Sequence, residues 1–254
     1  MLSSLCGYKP ISLSKIKRVI PCVLLSLFLC VFGSESKAQQ RMSAEITTKQ
    51  VYNKKLIRNE RTLYYSSNGK VVVHYTYPKE YFMTSNSLGE IAVYQPDVNE
   101  VMLITDKSMA TQSEIFLYFL TSDYTNLNLT KLGFVLKEVK KDGNRIIKTF
   151  TPTKKEDNSI KKVVVVNEGQ KPIYSAVYNK ADKIEKKTFY SAYVELPMVT
   201  FPTKITQITY NDKGDSIVSR EEYNNIKTKD FGINTKFEYS VPSNAKRVNP
   251  FGIK

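Results

Sequence analysis

From Val51 onward the apolar residues of this chain recur mainly at every second position, in short runs bounded by Gly, Asn, Asp and Pro. Successive side chains of a strand point to opposite faces, so this period is that of antiparallel strands with one face on a core. Val71, Val73 and Tyr75 share one face, and Val72, His74 and Thr76 share the other. Phe237, Tyr239 and Val241 alternate with Lys236, Glu238 and Ser240, which predicts a closing strand. Three hairpins carry their own turn chemistry. Asn68-Gly69 joins two strands, Asp142-Gly143 joins Leu132–Lys140 to Arg145–Thr151, and Asn211-Asp212-Lys213-Gly214 joins Thr203–Tyr210 to Ser216–Tyr223. Gly and Asn tolerate the positive φ that such turns require. Val163–Val166 is an unbroken run of valines, which predicts a strand covered on both faces. Pro197 and Pro202 mark a break between Ile184–Tyr193 and Val199–Phe201.

One segment leaves the strand period. Thr111 and Glu114 have the spacing of a capping box, and Ile115, Phe116, Phe119 and Leu120 then fall on one helical stripe. With Leu117 and Tyr118 beside them, a helix of about ten residues would be apolar round much of its circumference. Such a helix must be covered, and in a protein of strands the natural place is the concave face of a curled sheet. On the residues alone, ordinary core and the lining of a groove both satisfy that stripe.

Ahead of the strands, Lys15, Lys17 and Arg18 precede an apolar run from Val19 to Phe32, and Ser36-Lys37-Ala38 places small residues for cleavage before Gln39. This is the layout of a secretory signal over residues 1–38, leaving one domain over 39–254. At about fourteen residues the run is short of the roughly 20 a permanent span needs. Leu29 stands before Cys30, where a lipid-modified cysteine normally wants a small residue. Cleavage removes Cys6, Cys22 and Cys30, every cysteine in the chain, and leaves His74 as the one histidine. The exported chain is expected in a periplasm, where a domain of this size does not depend on disulfides.

The composition also narrows the chemistry. Without a thiol or a Cys/His cluster, and with one imidazole lacking an identifiable nucleophile partner, the chain reads as a non-enzyme with neither metal nor cofactor. Asp212, Asp215, Glu221 and Glu222 gather in one hairpin, a routine habit of turns and exposed strand ends. No phosphate loop, nucleophile elbow or zinc-helix motif is present in the sequence. The formal charge is +14, of which the first 38 residues carry +4. The lysines come singly or in pairs at strand ends and turns, the pattern of a solvated surface that discourages edge pairing, and export argues against nucleic acid.

Three blocks, taken in order, resemble the LolA-like family of periplasmic lipoprotein carriers and the related outer-membrane lipoprotein-sorting proteins. The first is Val71–Met102, with the run from Val71 to Pro78, then Ser87 to Pro96 and Asn99-Glu100-Val101. The second is the apolar segment Thr111–Ser122. The third is Tyr223-Asn-Asn-Ile-Lys227, followed by Phe237-x-Tyr-x-Val-Pro242. Phe201 to Thr206 and Tyr210 to Asp215 add to the likeness, which covers most of residues 60–248.

The resemblance implies a mainly β fold: an antiparallel sheet of about ten or eleven strands curled into an unclosed half-barrel, with a short apolar helix on the concave face. It also implies the binding of lipoprotein acyl chains or other lipid, passed between partners at the inner and outer membranes. By match to the family's strands and helix, the groove would be lined by Val71, Val73, Tyr75, Ile91, Val93, Ile115, Phe116, Phe119 and Leu120. Two departures stand out. Ile46–Tyr65 reads as charged strand where the family has an amphipathic lid helix, and Ser66-Ser67-Asn68-Gly69 stands where the family has an Arg-Pro pair. Those departures keep a second function open, a protein-binding or sensing module that uses the same half-barrel without lipid transfer.

Overall fold

The computed structural model describes residues 41–86, 90–104, 119, 123–154, 159–197, 199–211, 214–229 and 234–249. The signal reading therefore lies outside the described residues, as does all of the predicted helix except Phe119. Fourteen strands form one sheet: β1 (Arg41–Tyr52), β2 (Lys55–Ser66), β3 (Val71–Tyr77), β4 (Tyr81–Ser85), β5 (Ile91–Gln95), β6 (Glu100–Ile104), β7 (Phe134–Asp142), β8 (Arg145–Pro152), β9 (Ile160–Glu168), β10 (Lys171–Asn179), β11 (Ile184–Leu196), β12 (Val199–Tyr210), β13 (Ser216–Lys227) and β14 (Lys246–Val248). Their spatial order is β14-β6-β5-β4-β3-β2-β1-β13-β12-β11-β10-β9-β8-β7, so the sheet is unclosed, with β14 and β7 at its edges. It consists of two meanders, β1 to β6 and β7 to β13, sewn together where β1 pairs antiparallel with β13. Only β14 is parallel to its neighbour, β6.

The turns behave as their residues dictate. Gly69, Gly143 and Gly214 all have positive φ in the three predicted hairpins. A fourth tight turn escaped the pattern: Asn53 and Lys54 both have positive φ between the paired residues Tyr52 and Lys55, the geometry of a type I′ turn without its usual glycine. Pro202 does not break a strand, because β12 runs through it and it sits buried opposite Tyr193. The reversal lies instead between Leu196 and Val199, next to Pro197. The sheet has more strands than the ten or eleven the resemblance implied, since Arg41–Ser66 supplies a central hairpin and Lys246–Val248 a short edge strand.

Each face of the sheet has its own apolar cluster. The larger, on what we term the core face, gathers Met42, Ala44 and Ile46 from β1, Leu63 from β2, and Val71 and Val73 from β3. Phe150, Val163, Val165, Tyr190, Phe201, Ile205 and Tyr223 continue it across β8 to β13. Val164 and Val166 point the other way and are only half-buried, so β9 is well covered on one face rather than two. The back face carries Val72, Phe82, Tyr94 and Val101, covered by Tyr239, Val241 and Ala245.

This cover corrects the predicted closing strand. Thr235–Glu238 is a 3-10 turn, with Asn234 accepting the Lys236 N–H through its side chain, and the chain from Tyr239 to Ala245 lies on the back face before it joins the ladder as β14. The apolar alternation was real but served packing. Phe237 meets Tyr64 edge-on at 5.3 Å, and Tyr239 stacks on Phe82 at 4.1 Å.

The most demanding buried group is Arg61 in β2, which points to the core face beside Leu63. Its Nη1 donates to Thr48 Oγ1 at 2.6 Å and Asn59 Oδ1 at 3.0 Å, and its Nη2 to Glu221 Oε1 at 2.9 Å. Tyr223 Oη donates to the other carboxylate oxygen of Glu221 at 2.8 Å, and the Tyr75 ring lies 5.7 Å from the guanidinium carbon. Four strands, β1, β2, β3 and β13, meet in this network across the seam between the two meanders. A buried charge is tolerated only when paired and hydrogen-bonded, so the network specifies one register at the seam.

Truncating the buried Arg61→Ala should cost about 3–5 kcal/mol by emptying its site and leaving the half-buried Glu221 carboxylate without its cation. In a domain of this size that lowers the thermal midpoint by roughly 6–20 °C. The double variant Arg61→Met with Glu221→Gln should recover part of the loss, checked by calorimetry. A second outcome concerns the back face at high pH. Burial, with Tyr94 and Glu80 nearby, pushes the Tyr239 phenol from 10.0 up to about 12. Burial raises Tyr64 and Tyr65 as well. A phenol held protonated by the fold contributes stability that is complete below pH 10 and lost as pH rises through about 12. Unfolding by base should therefore track tyrosinate absorbance, and Tyr239→Phe should shift that transition to higher pH.

Candidate functional site

The core face converges on Phe119. Its ring is fully buried and meets Phe201 at 5.5 Å and Tyr190 at 5.7 Å, both edge-on, with Tyr193 and Tyr124 each at 6.4 Å. Phe201 in turn meets Tyr223 edge-on at 4.8 Å. Rings prefer such edge-to-face contacts because the positive edge of one faces the negative face of another. β11, β12 and β13 thus present an aromatic nest, and Phe119 fills it. The nest also has polar handles. Ser175 Oγ and Tyr190 Oη share a hydrogen bond at 3.2 Å, and Tyr193 Oη donates to the Pro172 carbonyl. Burial raises the Tyr193 phenol far above its ordinary value, so it remains a donor at any physiological pH.

Beside the nest, the turn at Tyr124–Asn126 caps β8 and β9. Asn167 Nδ2 donates to the Thr125 carbonyl at 2.9 Å, and Lys148 Nζ donates to Asn126 Oδ1 at 2.7 Å. Burial lowers the Lys148 ammonium, and the charge of Asp123 opposes that shift. Leu127 and Asn128 take positive φ to turn the chain back toward β7.

At the opposite end of β4 to β6, a cavity of about 590 Å³ opens between the strands and the C-terminal cover. Ile91, Ala92, Leu103, Ile104, Tyr239 and Val241 supply its apolar wall, and Lys70, Asn86, Glu90 and Ser240 its polar rim. Its size falls within the roughly 300–1,000 Å³ of small-ligand sites.

The residues expected to line a groove separate into three groups. Val71, Val73 and Phe119 are packed within the core cluster, and Tyr75 packs against it, stacked on Tyr81 at 4.0 Å. Ile91 is buried on the wall of the cavity, and Val93 is half-buried between its partners Met83 and Met102. Ile115, Phe116 and Leu120 lie outside the described residues. Sequence reasoning missed Arg61, Tyr190, Tyr193 and Phe201 as a converging set. The one available signal was Arg61 standing in period-two register with Leu63 and Tyr65.

His74 stacks on Phe82 at 4.2 Å, and its Nε2 lies 2.8 Å from Glu80 Oε1, so its polar partner is a surface carboxylate. The hairpin carboxylates divide by face: Glu221 joins Arg61 on the core side, while Glu222 pairs with Arg220 at 3.1 Å. Asp212 lies outside the described residues. Among the described residues, no group of three His, Cys, Asp or Glu side chains is placed to hold a metal ion.

No protein-family model matches the chain, and no curated protein matches its sequence. Solved structures do match it. A DUF1329 family protein from Desulfovibrio piger aligns with a TM-score of 0.54 at 16% identity, over 85% of this chain and 97% of that one. A LolA superfamily protein from Nitrosomonas europaea aligns with a TM-score of 0.51 at 12% identity, over 76% and 88%. A domain from Vibrio parahaemolyticus named for outer-membrane lipoprotein sorting aligns with a TM-score of 0.51 at 10% identity, over 78% and 88%. At these identities the likeness is one of architecture, and it agrees with the unclosed antiparallel sheet and its apolar core face: the chain has a LolA-like fold.

Proposed function

We propose that the protein is a periplasmic carrier or chaperone that binds lipid or lipoprotein acyl chains against the core face of its sheet. The aromatic nest around Phe119 carries this reading. A ring seated edge-on against three others and tilted against a fourth occupies an apolar site that an acyl chain can take in its place, with Val71, Val73 and Tyr75 of β3 and Ile91 and Val93 of β5 as the rest of the proposed lining. Ile115, Phe116 and Leu120 belong to the proposed lining on the strength of the sequence resemblance alone. Burial of an acyl chain is worth about 0.8 kcal/mol per methylene, so capture and release need no covalent step, only a donor and a better acceptor at the two membranes. The secretory layout of residues 1–38 and the likeness to the LolA superfamily and lipoprotein-sorting structures support the same assignment.

One observation favours a second reading, a protein-binding or sensing module. Val71, Val73 and Phe119 fill the core face rather than standing open on it.

Residues 39–254 recovered from the periplasm should carry an acyl lipid visible by native mass spectrometry. The variant Phe119→Asp should lose that lipid while keeping its β circular-dichroism signal. A lipid-free parent that also refuses added lipoprotein overturns the carrier, and an envelope pull-down with one stoichiometric protein would then support the second reading. An unfolded Phe119→Asp variant marks Phe119 as core alone.

A further inference from the structure

The hairpin tip joining β1 and β2 departs from the rest of the surface. Residues Val51 to Arg58 are exposed without interruption, yet four of the eight are large apolar side chains. Leu56 is 65% exposed, Ile57 53%, Val51 43% and Tyr52 42%. Along its β2 edge the ribbon lacks a flanking strand among the described residues. β2 pairs with β3 only from Glu60 onward, so Lys55–Asn59 has β1 as its sole strand partner. On the other side β13 accompanies β1 as far as Val51. At roughly 3.4 Å per residue, the tip reaches about 17 Å beyond the last β3 pairing.

Its charge is equally distinctive. Between Lys49 and Asn59 there are four cations and no carboxylate, and Arg58 pairs with Glu60. Lys49, Lys54 and Lys55 are exposed, with Lys54 at the crest of the turn. Lysine alone would be ordinary protection for a projecting ribbon, but protection does not call for Leu56 and Ile57 in water. Aliphatic side chains ringed by lysine, with a tyrosine beside them, match the two layers of an anionic lipid surface. Leu56, Ile57 and Val51 would enter the acyl boundary, Tyr52 would sit at headgroup level, and the lysine stems would lie along the interface with their ammonium groups on lipid phosphates.

We propose that this tip docks the protein on an anionic lipid surface. The assignment is separate from the acyl-binding reading, because it uses the opposite end of β1 and β2 from the cavity and none of the residues in the Phe119 nest. Residues 39–254 form a compact unit containing the whole sheet and both apolar clusters, which makes them the form to test. They should co-sediment with vesicles of phosphatidylglycerol and phosphatidylethanolamine but not with phosphatidylcholine vesicles. The double variant Leu56→Ser/Ile57→Ser should bind at least about tenfold more weakly. Lys54→Gln/Lys55→Gln should weaken binding and flatten its salt dependence. All four positions are exposed, so the variants should keep the parent's melting transition and any acyl lipid seen by mass spectrometry. A parent that ignores anionic vesicles overturns the proposal, as do double variants that bind like the parent. A tip that instead retains one envelope protein in a pull-down, without binding vesicles, would be a protein-docking element and would overturn it too.

Discussion

A single layer of fourteen strands has two faces to keep from water, and almost every other feature of this protein follows from that demand. The cover comes from segments outside the sheet. Phe119 and the turn at Tyr124–Asn126 lie on the core face, and the segment from Phe237 to Ala245 lies on the back face. The two covers differ in kind. The back face is covered in part by stacked rings, whereas the core face gathers the larger share of apolar side chains around one inserted ring.

The seam between the meanders brings a different pressure. β1 and β13 are far apart in sequence, and apolar burial alone discriminates poorly among neighbouring registers that preserve face parity. Arg61 supplies discrimination there, because its donors reach Thr48 on β1 and Glu221 on β13 only in the observed alignment. A buried ion pair adds little net stability over a well-packed apolar substitute, so its contribution here is to specificity.

The same architecture frames the functional proposals. A face crossed by many strands and lined with aromatic and aliphatic side chains suits a long flexible apolar ligand, because such a ligand asks for area and depth more than for a fixed hydrogen-bond pattern. The projecting β1–β2 tip lies at the other end of those central strands, and its exposed aliphatic side chains and lysines set it apart from the sheet that carries it.

The period-two pattern and the Asn-Gly and Asp-Gly turns determined by themselves that the chain would be an antiparallel β protein, because these are local constraints. They also placed Val71, Val73 and Tyr75 on one face. What the tertiary structure decided was which face had a partner and of what kind. Phe237, Tyr239 and Val241 have the alternation of a strand, but the back face offered them a surface instead of a free edge. Pro202 looked like a break because its missing donor is a local fact, whereas its place inside β12 is a matter of its neighbours. Arg61 looked like one more surface charge until β13 brought Glu221 across to it. Phe119 and Phe201 are more than eighty residues apart in the chain, and only folding makes them a nest, since periodicity reports the face a side chain occupies and not what it will meet there.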